Sequence, residues 1–386
     1  MRILLPTILA GVTFLLLLGG VVAAALARHR VPWLARQPRG EPGLPRPQVS
    51  IIAPALNEQR HIEAAVRSLL AQDYAALEII LIDDRSTDAT PQILARLAAA
   101  EPRLRCVTVR ELPPGWLGKN HANWLGAQAA RGELLLFTDA DVVMAPGTVD
   151  RAAACLVRGG WDHLAVAPRV SLPGPLLSQF TLYFGLLFSL YARPWAARNP
   201  RSRAYVGIGA FNLVRREAYF ACGGHERVRL RPDDDVKLGK LLKRGGWRQD
   251  FLNGNGAIEV EWYAGWREVR DGLMKNLFAG TGYSVVATVA GSLAQLQLLG
   301  GPLLALPFGG GLARALNLGS CALLLAFGAL CAPQFGTRRW GGALLPGFAI
   351  FGAWLMWRSM VLALARGGID WRGTRYPLAE LRRNIV

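Results

Sequence analysis

Cysteine and lysine are scarce in this chain of 386 residues, and the first scarcity removes a class of function. The five cysteines (106, 155, 222, 321 and 331) are odd in number, scattered, and never arranged as CxxC, so neither a disulfide framework nor a zinc site is indicated. A reducing compartment for the soluble part is the simpler expectation. Five of the 44 basic residues are lysine and the other 39 arginine, a skew that reflects a GC-rich genome more than guanidinium chemistry. The net charge is +17, yet no zinc-knuckle spacing, RRM signature or basic–aromatic stripe occurs, so nucleic acid is not an expected partner. GxSxG, a Walker motif and a GxGxxG after a strand are also missing. His61, His121, His163 and His225 lack metal-ligand spacing and read as ordinary surface or loop histidines.

Apolar residues are abundant. They make up 52% of the chain, and the mean hydropathy of +0.24 puts part of it in lipid. Residues 3–27 are uncharged and exceed the ~20 residues needed for one crossing. A cleavable signal peptide is the rival, because Ala23–Ala27 offers small-residue cleavage sites. Only Arg2 precedes the run, whereas Arg28, Arg30, Arg36 and Arg39 follow it. That asymmetry favours an uncleaved anchor over 1–30 with its C-terminal side in the cytosol. A Pro/Gly/Arg linker follows over 31–47. Three more apolar runs lie near 283–308, 312–333 and 341–365, within a membrane region spanning 281–366. Four full crossings would put the C-terminus opposite the residues after the anchor, but Arg366, Arg372, Arg375, Arg382 and Arg383 in or beside the 367–386 tail argue for the cytosol. The Pro-broken run 283–308 is therefore expected to be a re-entrant or interfacial hairpin.

Between these lipid-directed ends, residues 48–280 alternate strand-like and helical stretches. Strands are expected at 49–53, 77–82, 104–109 and 133–138, and helices at about 57–72, from Asp88, at 119–130 and after Pro146. Such alternation predicts an α/β domain with a mostly parallel sheet. Ser86-Thr87-Asp88 is suited to capping the second helix. The apolar stretch 172–196, broken by Ser178, Gln179 and Thr181, is expected to lie as a helix in the membrane interface.

Three acidic clusters punctuate that domain: Asp83-Asp84, Asp139-Ala140-Asp141 and Asp233-Asp234-Asp235. The first two end strands, where open α/β sheets bind ligands. Asp139 and Asp141 suit a divalent cation bridging two phosphates, which takes one or two carboxylates plus water and substrate oxygens. On extended backbone the two would point the same way. Asp84 can accept from a nucleobase or ribose; the bland alternative is a turn with a helix cap. Acidic residues opening the 233–244 helix could be plain dipole complementation, or could supply a base to an acceptor hydroxyl. The loop Pro114–Asn120 enters a helix whose backbone N–H groups, with Lys119, would attract phosphate.

These residues together resemble a membrane-bound family 2 glycosyltransferase with a GT-A type nucleotide-sugar-binding domain and transmembrane helices at both ends. Val49–Glu58 is similar to the family's opening strand and loop, Asp84 to its nucleoside-binding aspartate, and Asp139-x-Asp141 to its metal motif. Asp235, three residues before Leu238, stands where the family's Glu-Asp-x-x-Leu base lies, with Asp234 replacing the Glu. Gly115-Trp116-x-Gly118-Lys119-Asn120, Gly223-Gly224-His225, Lys275–Phe278 and Trp371-Arg372-Gly373-x-x-Tyr376 resemble the branch that glycosylates carotenoids and related lipids. The Gln/Arg-x-x-Arg-Trp motif of processive synthases is not evident; the stretch reads Gly265–Arg270.

The resemblance implies an inverting transfer of one hexose from a nucleotide diphosphate sugar, UDP-glucose first, to a lipid hydroxyl or carboxyl at the cytoplasmic membrane. It implies substrate contacts from Pro54, Asn57, Glu58, Asp84, Lys119, Asp139, Gly207 and Gly209. Mg²⁺ or Mn²⁺ would sit on Asp141 and Asp139, and Asp235, with Asp234 beside it, would be the base. The rivals are a processive polysaccharide synthase, a nucleotidyltransferase, and a membrane scaffold without catalysis.

Overall fold

The computed structural model describes residues 4–384 and Val386. Met1–Ile3 of the expected anchor, with Arg2, lie outside the described residues, as do Ile385 and the side chains of Ala27, Arg28 and His29. The chain divides into two compact units. One comprises 31–171, 191–261 and 383–386; the other comprises 1–30, 172–190 and 262–382.

Among its described residues the first unit holds ten strands: β1 (Val49–Ala55), β2 (Leu77–Asp84), β3 (Leu104–Val109), β4 (Leu134–Phe137), β5 (Val142–Met144), β6 (His163–Ala167), β7 (Arg169–Ser171), β8 (Asn212–Arg215), β9 (Gln249–Asn253) and β10 (Ile258–Glu261). Seven form one sheet in the order β3-β2-β1-β4-β8-β6-β9, and a small second sheet runs β5-β10-β7. Strands β1 to β4 are mutually parallel, and β6 pairs β9 in parallel; β8 alone runs antiparallel to both its neighbours. Every residue of β1 and β4 is buried, as expected of strands covered on both faces.

The helix Ile62–Leu70 buries Ile62, Ala65, Val66 and Leu69, the apolar stripe read from the sequence. One local expectation fails. The helix after β2 starts at Thr90, with Ala89 at its N-cap and no side-chain cap. Asp88 instead accepts the N–H groups of Thr90 (2.9 Å) and Gln59 (3.2 Å), while Ser86 Oγ accepts that of Asn57 (3.0 Å). The Ser-Thr-Asp segment is spent on tying the loop after β2 to the loop after β1.

The second unit gathers the apolar helices. Among the described residues four are long and apolar enough to cross a membrane: Leu4–Leu26, Val285–Ala305, Gly311–Phe335 and Arg339–Ala365. Residues 172–190 and 262–280, read in the sequence as part of the catalytic stretch, group here. The helix Phe180–Ala192 has 13 residues, about 20 Å at 1.5 Å per residue, too short to span. Phe180 packs on Phe348 and Phe351, and Tyr183 donates to Gln295 Oε1 at 2.7 Å, so this segment is docked among the apolar helices.

The doubling-back of the chain falls elsewhere than 283–308. The helix Leu4–Arg30 lies parallel to Gly311–Phe335, with Leu316 beside Gly11 and Phe14 beside Gly319. Residues 339–344 then fold back along that same helix, so that Gly342 abuts the backbone of Leu324, Leu325 and Gly328. The next helix, Leu345–Ala365, starts there and runs antiparallel to Val285–Gly300: Met356 meets Gln295 and Trp357 donates to Ser292 Oγ at 2.7 Å. Run 283–308 carries a π-helical turn at Leu296–Gly300 but continues in one direction. A short hairpin of β11 (Gly368–Trp371) and β12 (Thr374–Pro377) follows, and residues 383–386 rejoin the first unit, where Asn384 Oδ1 accepts Leu230 N–H at 3.1 Å.

Candidate active site

The site is organised by the first turn of the helix Gly118–Ala129. A Cβ on Gly118 would overlap the Asp84 carboxylate, so only glycine lets the end of β2 close on this helix. One residue on, Lys119 Nζ lies 2.5 Å from Asp139 Oδ1. One further, buried Asn120 donates through Nδ2 to the carbonyls of Val228 (2.8 Å) and Arg231 (2.9 Å). Leu117 N–H adds a bond to Arg229 C=O (2.8 Å). The sequence motif Gly-Lys-Asn therefore ties the Asp84 rim, the Asp139–Asp141 turn and the loop preceding Asp235 to one point.

Gly209 marks where three charges meet. A Cβ there would lie 2.9 Å from Asp139 Oδ2, 3.2 Å from Lys119 Nζ and 3.4 Å from Asp235 Oδ2. A cavity opens beside them, lined by Lys119, Asn123, Thr138, His225, Asp234 and Asp235 among others. Burial disfavours the Lys119 ammonium, but Asp139, Asp234 and Asp235 outweigh it and hold the lysine charged. Burial first, then the neighbouring Asp234 charge, pushes the Asp235 carboxyl up to about 7, against opposing pulls from Lys119 and the Val236 N–H. Asp84, which forms a two-pronged pair with Arg85 (2.8 and 3.1 Å), stands at the other side of Gly118.

Asp139 and Asp141 occupy a turn between β4 and β5, where Asp139 C=O faces Val142 N–H at 3.4 Å. The expectation that extended backbone aims both carboxylates the same way therefore does not hold. Asp139 turns to Lys119. Asp141 Oδ1 is buried with no hydrogen-bond partner. Burial, with Asp139 and Glu58 nearby, raises the Asp141 carboxyl to about 7. An orphaned, buried carboxylate oxygen is the donor a hard cation would satisfy. No group of three or more His, Cys, Asp or Glu suited to a metal occurs among the described residues. A magnesium-type site does not need one, since phosphate and water complete it. The residues fit.

The remaining expected residues divide. Pro54 is buried within β1 opposite Ile82, which is a sheet position. Asn57 sits at φ +57° on the rim, its Oδ1 accepting Thr87 N–H at 2.8 Å, and Arg85 at φ +65° is its counterpart after β2. Glu58 anchors its N–H on Thr90 Oγ1 (2.9 Å) and reaches Asp141 electrostatically. Gly207 packs on the backbone of Asp235, where any side chain would collide with the carbonyl. Gly207→Ala should therefore cost more than the ~1–3 kcal/mol of ordinary overpacking, seen as a lower Tm with loss of transfer. His225, Asn123 and Tyr219 escaped assignment in the sequence. Gly223-Gly224-His225 stood out there only as a pattern without a role.

A mostly parallel sheet with one reversed strand, its carboxylates gathered at the strand ends, has the architecture of a GT-A type fold. Residues 50–220 match the family described as glycosyl transferase family 2. The chain is similar over that stretch to family 2 glycosyltransferases. It is 24% identical over 238 residues to a 4,4'-diaponeurosporenoate glycosyltransferase of Staphylococcus haemolyticus (strain JCSC1435), covering 60% of this chain and 61% of that protein. A succinoglycan biosynthesis protein of Rhizobium meliloti (strain 1021) is 34% identical over 140 residues, 35% of this chain and 37% of the relative. The fold matches a mannosyltransferase from Pyrobaculum calidifontis solved with GDP-Man and Mn²⁺, at TM-score 0.51 and 19% identity, covering 92% of this chain and 98% of the other.

Proposed function

We propose that the enzyme transfers one hexose, with inversion, from UDP-glucose to a hydroxyl or carboxyl of a membrane lipid such as a carotenoid or another isoprenoid or glycerolipid. The observation that carries this reading is the meeting of Asp139, Lys119 and Asp235 within 3.4 Å of one point, in a chain that also builds four span-length apolar helices. A diaponeurosporenoate glycosyltransferase among the relatives supports a lipid acceptor. In this reading Asp84 and the Asn57–Glu58 rim hold the nucleoside, Lys119 and Gly209 face the diphosphate, and Asp141 with Asp139 holds Mg²⁺ or Mn²⁺. The cation supplies charge neutralisation for the departing diphosphate. Asp235 takes the acceptor proton; for an acceptor already ionised it orients. Membranes given radiolabelled UDP-glucose should yield a labelled, organic-extractable product and nucleoside diphosphate. Pyrophosphate would instead indicate nucleotidyl transfer, and a water-soluble polymer would favour the glycan reading that the succinoglycan relative keeps open.

The same reading places the catalytic unit on the cytosolic side of the cytoplasmic membrane. Three crossings, 4–30, 285–305 and 311–335, with 345–365 as a re-entrant helix, agree with the backtracking 339–344 segment and with residues 383–386 belonging to the catalytic unit. The arginine-rich tail then stays cytosolic, which removes the conflict with the positive-inside rule. Backbone that departs from the α-helix at this depth is tolerated where protein buries it, as in the 3₁₀ segment at Gly341 and Gly342. A fluorescent protein fused after Val386 should light up and alkaline phosphatase fused there should be inactive; the reverse result would mean an odd number of crossings after the catalytic unit.

A further inference from the structure

A buried polar chain lies at the start of the helix Asp234–Arg244. His225 is 1% exposed, and its ring lies against Phe137 at the end of β4, centroids 4.8 Å apart. Gly223 (φ +81°) and Gly224 (φ +49°) make the turn that puts it there, and a Cβ on Gly224 would overlap the Tyr219 ring. That close approach lets the His225 backbone N–H donate to Tyr219 Oη at 3.1 Å, while Tyr219 Oη lies 2.9 Å from His225 Nδ1. On the other side of the ring, Nε2 lies 3.5 Å from Asp234 Oδ2 and 3.3 Å from Asn123 Nδ2.

Donors and acceptors fix the tautomer. Tyr219 Oη accepts from the His225 backbone and has one proton to give; burial keeps the phenol protonated. That proton goes to Nδ1, so Nδ1 is the acceptor and Nε2 carries the hydrogen. Burial also disfavours a second proton on this ring. A carboxylate can only accept, which suits Nε2–H facing Asp234. Asn123 completes the logic: its Oδ1 is buried with no partner, and turning the amide over would put that oxygen on the Nε2–H.

We infer that His225, locked as the Nε2–H tautomer by Tyr219, is a positioning residue that holds Asp234 and thereby the adjacent Asp235 in register with Lys119 and Asp139. This rests on the transferase reading of the site and assigns a role to Gly223-Gly224-His225. Asp234 and Asp235 open the helix Asp234–Arg244, so fixing one carboxylate fixes the backbone that presents the other.

The test uses the full-length enzyme in detergent. Histidine ¹⁵N NMR of the wild type, assigned by loss of the signal in His225→Gln, should show one Nε2–H tautomer, and Tyr219→Phe should release it to a mixture. An Nδ1–H ring, or a spectrum unchanged in Tyr219→Phe, would overturn the inference without reference to activity. In transfer assays with UDP-glucose and Mn²⁺, His225→Phe should lose ~10–100-fold in kcat with the donor KM within about threefold. His225→Gln, which keeps an N–H toward Asp234, should recover most of that loss. Equal losses in the two variants, or a loss carried by KM, would contradict positioning. Asp235→Asn run alongside separates the two ideas: a crippled Asp235→Asn beside a normal His225→Phe rejects the relay and leaves the base assignment standing.

Discussion

Asp235→Asn should lower hexose transfer to a hydroxyl acceptor by ~10²–10⁴-fold, the usual range for a lost general base, and leave donor-nucleotide binding intact. The amide keeps the size of the side chain beside Lys119 and Asp139 but cannot take a proton. The pH dependence should go with it. Because the carboxyl is raised to about 7 by burial and by Asp234, the wild-type rate should fall as pH drops through about 7. The same shift makes a stability statement. A carboxyl raised in the fold contributes stability below its unfolded value near 3.8, and that contribution is lost as pH rises through about 7. Asn imitates the protonated form, so the variant should melt higher than wild type, by more at pH 8 than at pH 5. An inactive variant that is also more stable at alkaline pH is the signature of a site that spends stability on function.

Asp141→Asn should abolish metal-dependent donor binding and reduce transfer by ~10³-fold, since a metal at the leaving group is worth several kcal/mol. Asp139 already has a cation in Lys119, whereas the Asp141 oxygen has none. Asp139→Asn should therefore hurt less than Asp141→Asn in metal binding, and should show its effect through a less well held Lys119. Titrating Mn²⁺ into each variant and following UDP affinity would rank them. Equal losses would show that the two carboxylates share the ion evenly, and a larger one at Asp139 that it, not Asp141, is the principal ligand.

What could be read from the sequence follows physical range. The stripe Ile62, Ala65, Val66, Leu69 and the buried runs of β1, β2 and β4 repeat at helical or strand periods, so neighbours along the chain declared them. Asp84, Asp139, Asp141 and Asp235 could be picked out because their residue types at strand ends and helix starts match the chemistry of a diphosphate. Other features depend on contacts between residues 34 to 111 positions apart. Nothing near Gly118 in sequence says that Asp84 will press on it, nor near Asn120 that it will latch Val228 and Arg231. His225 looked isolated because Tyr219, Asn123 and Asp234 surround it only in the fold. The reversal of β8, four residues long, carries no period of its own. The fold-back at 339–344 was hidden for another reason: hydropathy counts apolar length and is blind to direction, so a turn back along Gly311–Phe335 leaves no mark in it.

The most direct test of the account is a structure of the full-length enzyme with UDP and Mn²⁺. The ion should be held by Asp141, with the diphosphate beside Lys119 and Gly209, the uracil and ribose on the Asp84 side of Gly118 and the Asp235 carboxylate across the same cleft. A diphosphate held away from Lys119 and Gly209, or an ion bound without Asp141, would contradict it.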